Sequence, residues 1–274
     1  MVAADRGPEW RAGRAARPSG IRSAARAREL ESGLEIGRER RVHLDPLPAE
    51  RVREGEARRV QELAAQIEAG MDRYGVLVFH DQHFADETQM AFSRNFGELE
   101  HTAGGNVTKA EDKRLNPYMA DVSNLDKHGE VLKRDDRKRM FNLGNQLWHS
   151  DSSFRPVPAK YSLLSGRIVV AKGGQTQFCD MRAAYDALDD ETKAMVEDLV
   201  CEHSLIYSRG SLGFTELSDQ ERAMFRPVRQ KLVRTHPVTG RKSLYLSSHA
   251  GAIVGWPMPE ARAFLRELTE HATQ

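Results

Sequence analysis

The residues with the most chemistry in them are Trp148-His149-Ser150-Asp151. Along an extended strand, side chains two apart leave from the same face, so one imidazole and one carboxylate can enter a single cavity. With a distant third donor, such a pair forms the two-His-one-carboxylate set. That set covers one face of an octahedral ferrous ion and leaves three positions for a cosubstrate and O2. Spacing alone decides little. Ten His and 40 acidic residues in 274 yield about 1.5 His-x-acid pairs by chance, and the chain has three. His43-Leu44-Asp45 falls in an Arg-rich stretch and His128-Gly129-Glu130 beside a loop glycine, so neither has a stiff strand to hold it. For His149, a surface or hydrogen-bonded imidazole explains the spacing as well as a metal does. Downstream, Gly173-Gly174-Gln175-Thr176-Gln177-Phe178 reads as a glycine turn delivering Thr176 onto a strand, where its hydroxyl can donate to a carboxylate. Alone it is an ordinary hairpin signal. The two patterns together, joined by a β-rich stretch, are harder to obtain by accident.

Elements to carry these groups can be read from periodicity. Val60, Leu63, Ala64, Ile67 and Met71 recur at helical spacing from Ala57, and Tyr74-Gly75 ends that helix. Val76-Leu77-Val78-Phe79 has the texture of a short buried strand. Asp86 is placed to N-cap a helix running to about Asn95. A long polar stretch follows from Gly97 to Asn145, carrying the basic cluster Lys133–Arg139. Loops of this length are usually lids, binding loops or locally disordered, and most of such a charge run is solvated surface. Tyr161–Leu164, Ile168–Val170, Thr176–Cys179, Leu205–Tyr207, Leu232–Thr235 and Ser243–Leu246 then read as short strands. Val238-Thr239-Gly240-Arg241 forms a hairpin turn between the last two. Helices are expected at Met181–Leu188, Asp190–Val200 and Pro259–His271. The sum is a mainly β domain with flanking helices.

Composition removes several function classes. Lys+Arg is 41 and Asp+Glu 40, a formal charge of +1, which gives no chain-wide attraction for nucleic acid or membrane. No apolar run approaches a bilayer span, and the first residues lack a signal-peptide core. Two cysteines, Cys179 and Cys201, make neither a disulfide framework nor a cysteine-rich zinc site, and the expected setting is cytoplasmic. Fourteen of the first 60 residues are Arg and none is Lys, with Trp10 their only aromatic. Ten acidic residues among them leave +4, so residues 1–56 read as a disordered tail or a mis-assigned gene start, and 57–274 as the folded domain.

LWHSDSSFRPVPAKYSLLSGR, GGQTQFCDMRAAYDALDDETK, VCEHSLIYSRGSLGF and RTHPVTGRKSLYLSSHAG resemble the Fe(II)/2-oxoglutarate-dependent dioxygenases of the taurine dioxygenase family, most of all its 2,4-dichlorophenoxyacetate branch. The resemblance runs from about Glu62 to the last residue. It implies a double-stranded β-helix, or jelly roll, with iron at the open end of the barrel. It makes His149 and Asp151 iron ligands, Thr176 a ligand to one carboxylate of 2-oxoglutarate, and His101 and Asn124 substrate contacts. The implied reaction converts 2-oxoglutarate and O2 to succinate and CO2 while hydroxylating a small anionic substrate. An aryloxyacetate would become a hemiacetal that separates into a phenol and glyoxylate. Sulfonates such as taurine are the alternative substrate class.

The family's third iron ligand is a His well over a hundred residues beyond the first pair, followed by an Arg for the far carboxylate of 2-oxoglutarate. His203, His236, His249 and His271 lie downstream of His149, but none occupies that motif. His249 is read as a core or loop histidine. The resemblance therefore implies a jelly roll incomplete at its C-terminus, with weak iron binding, or a non-catalytic remnant. A cupin-like metal protein is a more distant alternative, and apolar faces on terminal helices would suit a homo-oligomer.

Overall fold

The computed structural model describes residues 2–4, 54–102 and 113–274. The Arg-rich segment 1–56, with His43, lies outside the described residues except for Val2–Ala4 and 54–56. In chain order the elements are β1 (Val2–Ala4), α1 (Glu54–Tyr74), α2 (Asp86–Ser93), α3 (Arg137–Asn142), β2 (Thr176–Phe178), α4 (Met181–Asp186), α5 (Asp190–Val196), β3 (Val200–His203), α6 (Leu205–Gly210), α7 (Asp219–Met224), β4 (Val228–Lys231), β5 (Val233–Thr235), β6 (Lys242–Leu244), β7 (Ala250–Ile253) and α8 (Met258–Ala272). A 3-10 turn, Leu143–Gln146, continues α3 towards Trp148.

The strands form three small antiparallel sheets, ordered β4-β3-β7, β5-β6 and β1-β2. In β3 the pleat points Cys201 and His203 inward, both fully buried, while Val200 and Glu202 stay half-buried. Behind this face, Leu232, Leu244, Leu246 and Ile253 pack against Ala261, Leu265 and Leu268 of α8 and Ala184 and Tyr185 of α4. The three- and four-residue spacing on α8 puts its apolar residues in one stripe, which covers the sheet. A second cluster, Phe141, Leu205, Phe214 and Phe225, lies between α3, α6 and α7. Short helices start where a side chain satisfies free backbone N–H groups. Asp180 accepts from Arg182 and Ala183, Asp189 from Thr192 and Ser204 from Ile206, and Ser218 with Glu221 completes a capping box.

Several expectations need correction. Among the described residues more lie in α-helices than in strands, so the chain is not mainly β by content. Val76–Phe79, Tyr161–Leu164 and Ile168–Val170 form no ladder. Val78, Leu164, Ile168 and Val169 are exposed. Their β-branched character is a preference for a pleated, half-covered surface and produces a strand only where a neighbour supplies the pairing. Leu205–Tyr207 opens α6, because Ser204 caps it and overrides the apolar run. Val200 begins a strand instead of ending a helix, and Asp86 is the first helical residue, with Ala85 in the cap position. The helix at 54–74 carries Leu63, Ala64, Ile67 and Met71 on its half-buried side, as expected. Gly240 at φ +69° turns the chain between β5 and β6.

Candidate metal centre

Trp148–Ser150 is stitched to the segment between β6 and β7. Ser248 N–H donates to the Trp148 carbonyl (2.9 Å), Ser150 N–H to Ser247 Oγ (3.2 Å), and Ser150 Oγ–H to the Leu246 carbonyl (2.6 Å). These contacts fix the chain as far as Ser150; Asp151 then enters a turn, so the strand expected through both residues stops short of it. His149 Nδ1 lies 2.6 Å from the Leu147 carbonyl. A carbonyl only accepts, so Nδ1–H donates to it, which leaves Nε2 as the ring atom that would meet a metal. Nε2 is 3.1 Å from Asp151 Oδ1. The hydrogen bond from His149 and a second from the Ser162 hydroxyl, opposed by burial, hold the Asp151 carboxyl below the usual carboxylate range. The pair thus sets an imidazole nitrogen beside an ionised carboxylate, the donor types that Fe(II) coordination uses.

The turn containing Asp151 is clamped. Ser152 has φ +56°, a left-handed conformation uncommon for a residue with a Cβ. Its hydroxyl donates to Glu100 Oε2 (2.7 Å), and Glu100 also pairs with Arg155. Arg155 in turn donates to the carbonyl of His101. His101 is thereby tied by its backbone to the turn containing Asp151, while its exposed ring stacks on Tyr118 at 4.2 Å. Asn124 is exposed, and its carbonyl accepts from Leu132 N–H in the loop beyond. Thr176 opens β2, exposed, after Gly173 and Gly174 at positive φ. β2 pairs with β1, and β1 packs against the 3-10 turn leading to Trp148. His149 and Asp151 are brought together; His101 reaches their turn only through its backbone carbonyl and Arg155, and neither Thr176 nor Asn124 makes a hydrogen bond to the pair.

The downstream histidines separate by environment. His249 is buried, with its ring 6.1 Å from that of His149 and 5.0 Å from Phe154, and its Nδ1 2.7 Å from Ser208 Oγ. Burial, then the charges of Arg209, His149 and His203, push its pKa well below the ordinary imidazole value. His203 is fully buried, stacks on Tyr245 and is lowered to about 4, by burial and then by Arg234. His236 lies 3.5 Å from Asp72, and His271 Nε2 is 3.0 Å from the Ala184 carbonyl. Among the described residues, no group of three His, Cys, Asp or Glu converges on a metal position. His249 is therefore a core histidine neighbouring the pair. The basic cluster is also committed: Arg137 to Glu221, Lys138 to Asp121 and the Leu125 carbonyl, Arg139 to the Leu132 carbonyl. His128 sits in a turn whose Asp126 accepts from its own N–H.

Sequence reasoning missed Ser247, Glu100 and Gln230, whose contacts with the ligand segment span 52 to 97 positions. No local pattern announces them.

Comparison with known proteins agrees with this chemistry. The chain matches the model of the taurine catabolism dioxygenase TauD, TfdA family over residues 43–274. It is 46% identical over 211 residues to the α-ketoglutarate-dependent 2,4-dichlorophenoxyacetate dioxygenase of Cupriavidus pinatubonensis, covering 76% of this chain and 72% of that protein. It is 41% identical over 217 residues to the (S)-phenoxypropionate/α-ketoglutarate-dioxygenase of Sphingobium herbicidovorans, covering 76% of this chain and 70% of that protein. The crystal structure of AAD-2 in complex with Mn(II) and N-oxalylglycine superposes with a TM-score of 0.77 at 60% identity, covering 85% of this chain and 78% of that one. That likeness carries the jelly-roll architecture. The chain belongs to the taurine catabolism dioxygenase TauD, TfdA family, whose members are α-ketoglutarate-dependent dioxygenases that use Fe(II) and 2-oxoglutarate.

Proposed function

We propose that this protein hydroxylates a phenoxyalkanoate such as 2,4-dichlorophenoxyacetate, with His149 and Asp151 as two protein ligands to Fe(II) and Thr176 contacting 2-oxoglutarate. The observation that carries the reading is the His149 Nε2 to Asp151 Oδ1 separation of 3.1 Å, with Nδ1 already engaged by Leu147. Names of relatives that act on phenoxyacetate and phenoxypropionate support the substrate class over sulfonates. When bound, Fe(II) would activate O2 as the oxidant, one oxygen atom passing to 2-oxoglutarate, which becomes succinate and CO2, and the other to the substrate C–H, which becomes an alcohol. The protein's own part is positional. The Leu147 carbonyl accepts from His149 Nδ1–H, the Ser150 contacts fix the chain as far as Ser150, and neutral buried His249 adds no opposing charge. His101, tied by its backbone to Arg155, and Asn124 are the substrate contacts in this reading. Hydroxylation of the aryloxyacetate methylene yields a hemiacetal, which separates into a phenol and glyoxylate. Residues 57–274 form the oxygenase domain in this reading. The described residues bring two protein donors together, so weak iron binding is expected.

Anaerobic addition of Fe(II) and 2-oxoglutarate should produce the weak visible charge-transfer band of the chelate. On admission of O2 with 2,4-dichlorophenoxyacetate, succinate, phenol and glyoxylate should appear in equal amounts. His149→Ala and Asp151→Ala should each abolish the band. An unchanged band in either variant refutes the ligand assignment, and succinate release with taurine but not with phenoxyacetates refutes the substrate class.

A further inference from the structure

We infer that Gln230 is a positioning residue for the His149–Asp151 pair, acting through the backbone of the turn that contains Asp151. The inference rests on the metal reading above and extends it to a residue on a different sheet. Gln230 lies on β4 with its side chain buried, directly across from Cys201 of β3. Its Nε2 donates both hydrogens to main-chain carbonyls of the turn, to Ser153 at 3.1 Å and to Arg155 at 2.7 Å. Its Oε1 accepts from Arg234 Nη2. A carboxamide has two donors and one acceptor side, and all are used here.

That arrangement also settles which way the amide faces. Arg234 has no acceptor, so it must meet Oε1, and Nε2 is thereby turned towards two carbonyls that cannot donate. Arg234 is fixed in turn by its guanidinium lying 3.4 Å from the centre of the Tyr245 ring, against which His203 also stacks at 5.7 Å and 20°. A rigid stack in the core thus sets one amide, and the amide sets two carbonyls.

The turn needs such support. Ser152 at φ +56° costs on the order of 1 kcal/mol relative to an ordinary conformation. Within the turn, the backbone bonds are Arg155 N–H to Ser152 O at 2.8 Å and a longer Ser153 N–H to Ser150 O at 3.4 Å. Glu100 holds the turn from one side through Ser152 and Arg155, and Gln230 from the other. Asp151 lies inside this turn, between Ser150 and Ser153, so the direction of its carboxylate relative to His149 Nε2 follows from how the turn is seated. Partners at one remove from a metal commonly govern affinity by ten- to a hundredfold, and about tenfold is expected here.

The test is Mn(II) titration of the full chain with 2-oxoglutarate, followed by loss of the free-ion electron paramagnetic resonance signal, with the bound-Mn(II) spectrum recorded. Gln230→Met keeps the side-chain length and removes both donors. Gln230→Glu keeps an acceptor for Arg234 while presenting no donor to the carbonyls, and it provides the readout where Gln230→Met fails to fold. Each folded variant should bind Mn(II) about tenfold more weakly, with an altered bound spectrum; Gln230→His, which retains one ring donor, should recover part of the affinity. A folded Gln230→Met or Gln230→Glu chain with wild-type Mn(II) affinity and spectrum overturns the inference, even where its unfolding midpoint falls. Failure of the wild-type chain itself to bind Mn(II) is a separate result that refutes the metal reading.

Discussion

Gly144→Ala tests how tightly the approach to the ligand segment is packed. Gly144 is buried in the 3-10 turn before Trp148, and a Cβ there would lie 1.8 Å from Nη1, 2.1 Å from Cζ and 2.6 Å from Nε of Arg209. Arg209 is only 5% exposed, so the guanidinium has nowhere close to go. It lies 4.7 Å above the Phe141 ring, and Nη2 donates to Asn145 Oδ1 at 3.3 Å. Burial lowers its pKa to about 10, so the site already disfavours the charge it holds. Overpacking a core costs about 1–3 kcal/mol. Losing the cation–π contact and the charged hydrogen bond adds about 1–2 kcal/mol after hydration of the displaced group. A total near 3 kcal/mol lowers Tm by about 6–12 °C in a chain of this size.

The assay is a double-mutant cycle by urea denaturation, with Arg209→Ala as the second substitution. With the guanidinium gone, Gly144→Ala should cost less than about 1 kcal/mol, giving a coupling near 2 kcal/mol. Strictly additive effects, within about 0.5 kcal/mol, would show that the side chain yields without cost and that the packing argument is wrong.

Stability should also depend on pH through His203. Its folded pKa, about 4, lies below the unfolded value near 6.5, so the unfolded chain binds the extra proton between these pH values. Stability is full above about pH 6.5 and falls by roughly 1.4 kcal/mol per unit as pH drops towards 4. His203→Phe, which retains the stack on Tyr245, should flatten this slope in urea denaturation at pH 7, 6 and 5 while His249 keeps part of it; an identical slope removes His203 as the titrating group. Gly251→Ala places a Cβ 2.5 Å from Cγ of Tyr207, whose ring also lies under Arg262 at 4.8 Å. It should lower stability by about 1–3 kcal/mol with Mn(II) affinity unchanged, and a loss of affinity would show that this side of the sheet communicates with the ligand pair.

Local order was legible wherever neighbours in sequence supply both partners of an interaction. The stripe Leu63, Ala64, Ile67, Met71 needs only helical periodicity. The turn at Gly240 needs only a residue tolerant of positive φ. The spacing of His149 and Asp151 named the pair, but Asp151 lies in a turn, so it is the turn and not strand alternation that brings the two within 3.1 Å. Apolar runs were less informative. Ile168–Val170 and Leu205–Tyr207 look alike as sequence, yet one is exposed without a ladder and the other begins a helix capped by Ser204.

By itself, the sequence determined the chemical type of the His149–Asp151 pair, the helical stripe of residues 63–71 and the family motifs around Thr176. Only the tertiary structure decided that Ser247 and Leu246 hold Ser150 in place and that Gln230 grips the turn containing Asp151. Those contacts join groups up to 97 residues apart, and a hydrogen bond across that distance exists only once burial has brought both partners out of water. It leaves no periodic trace in the chain, because the requirement is a place in space and not a spacing along the backbone.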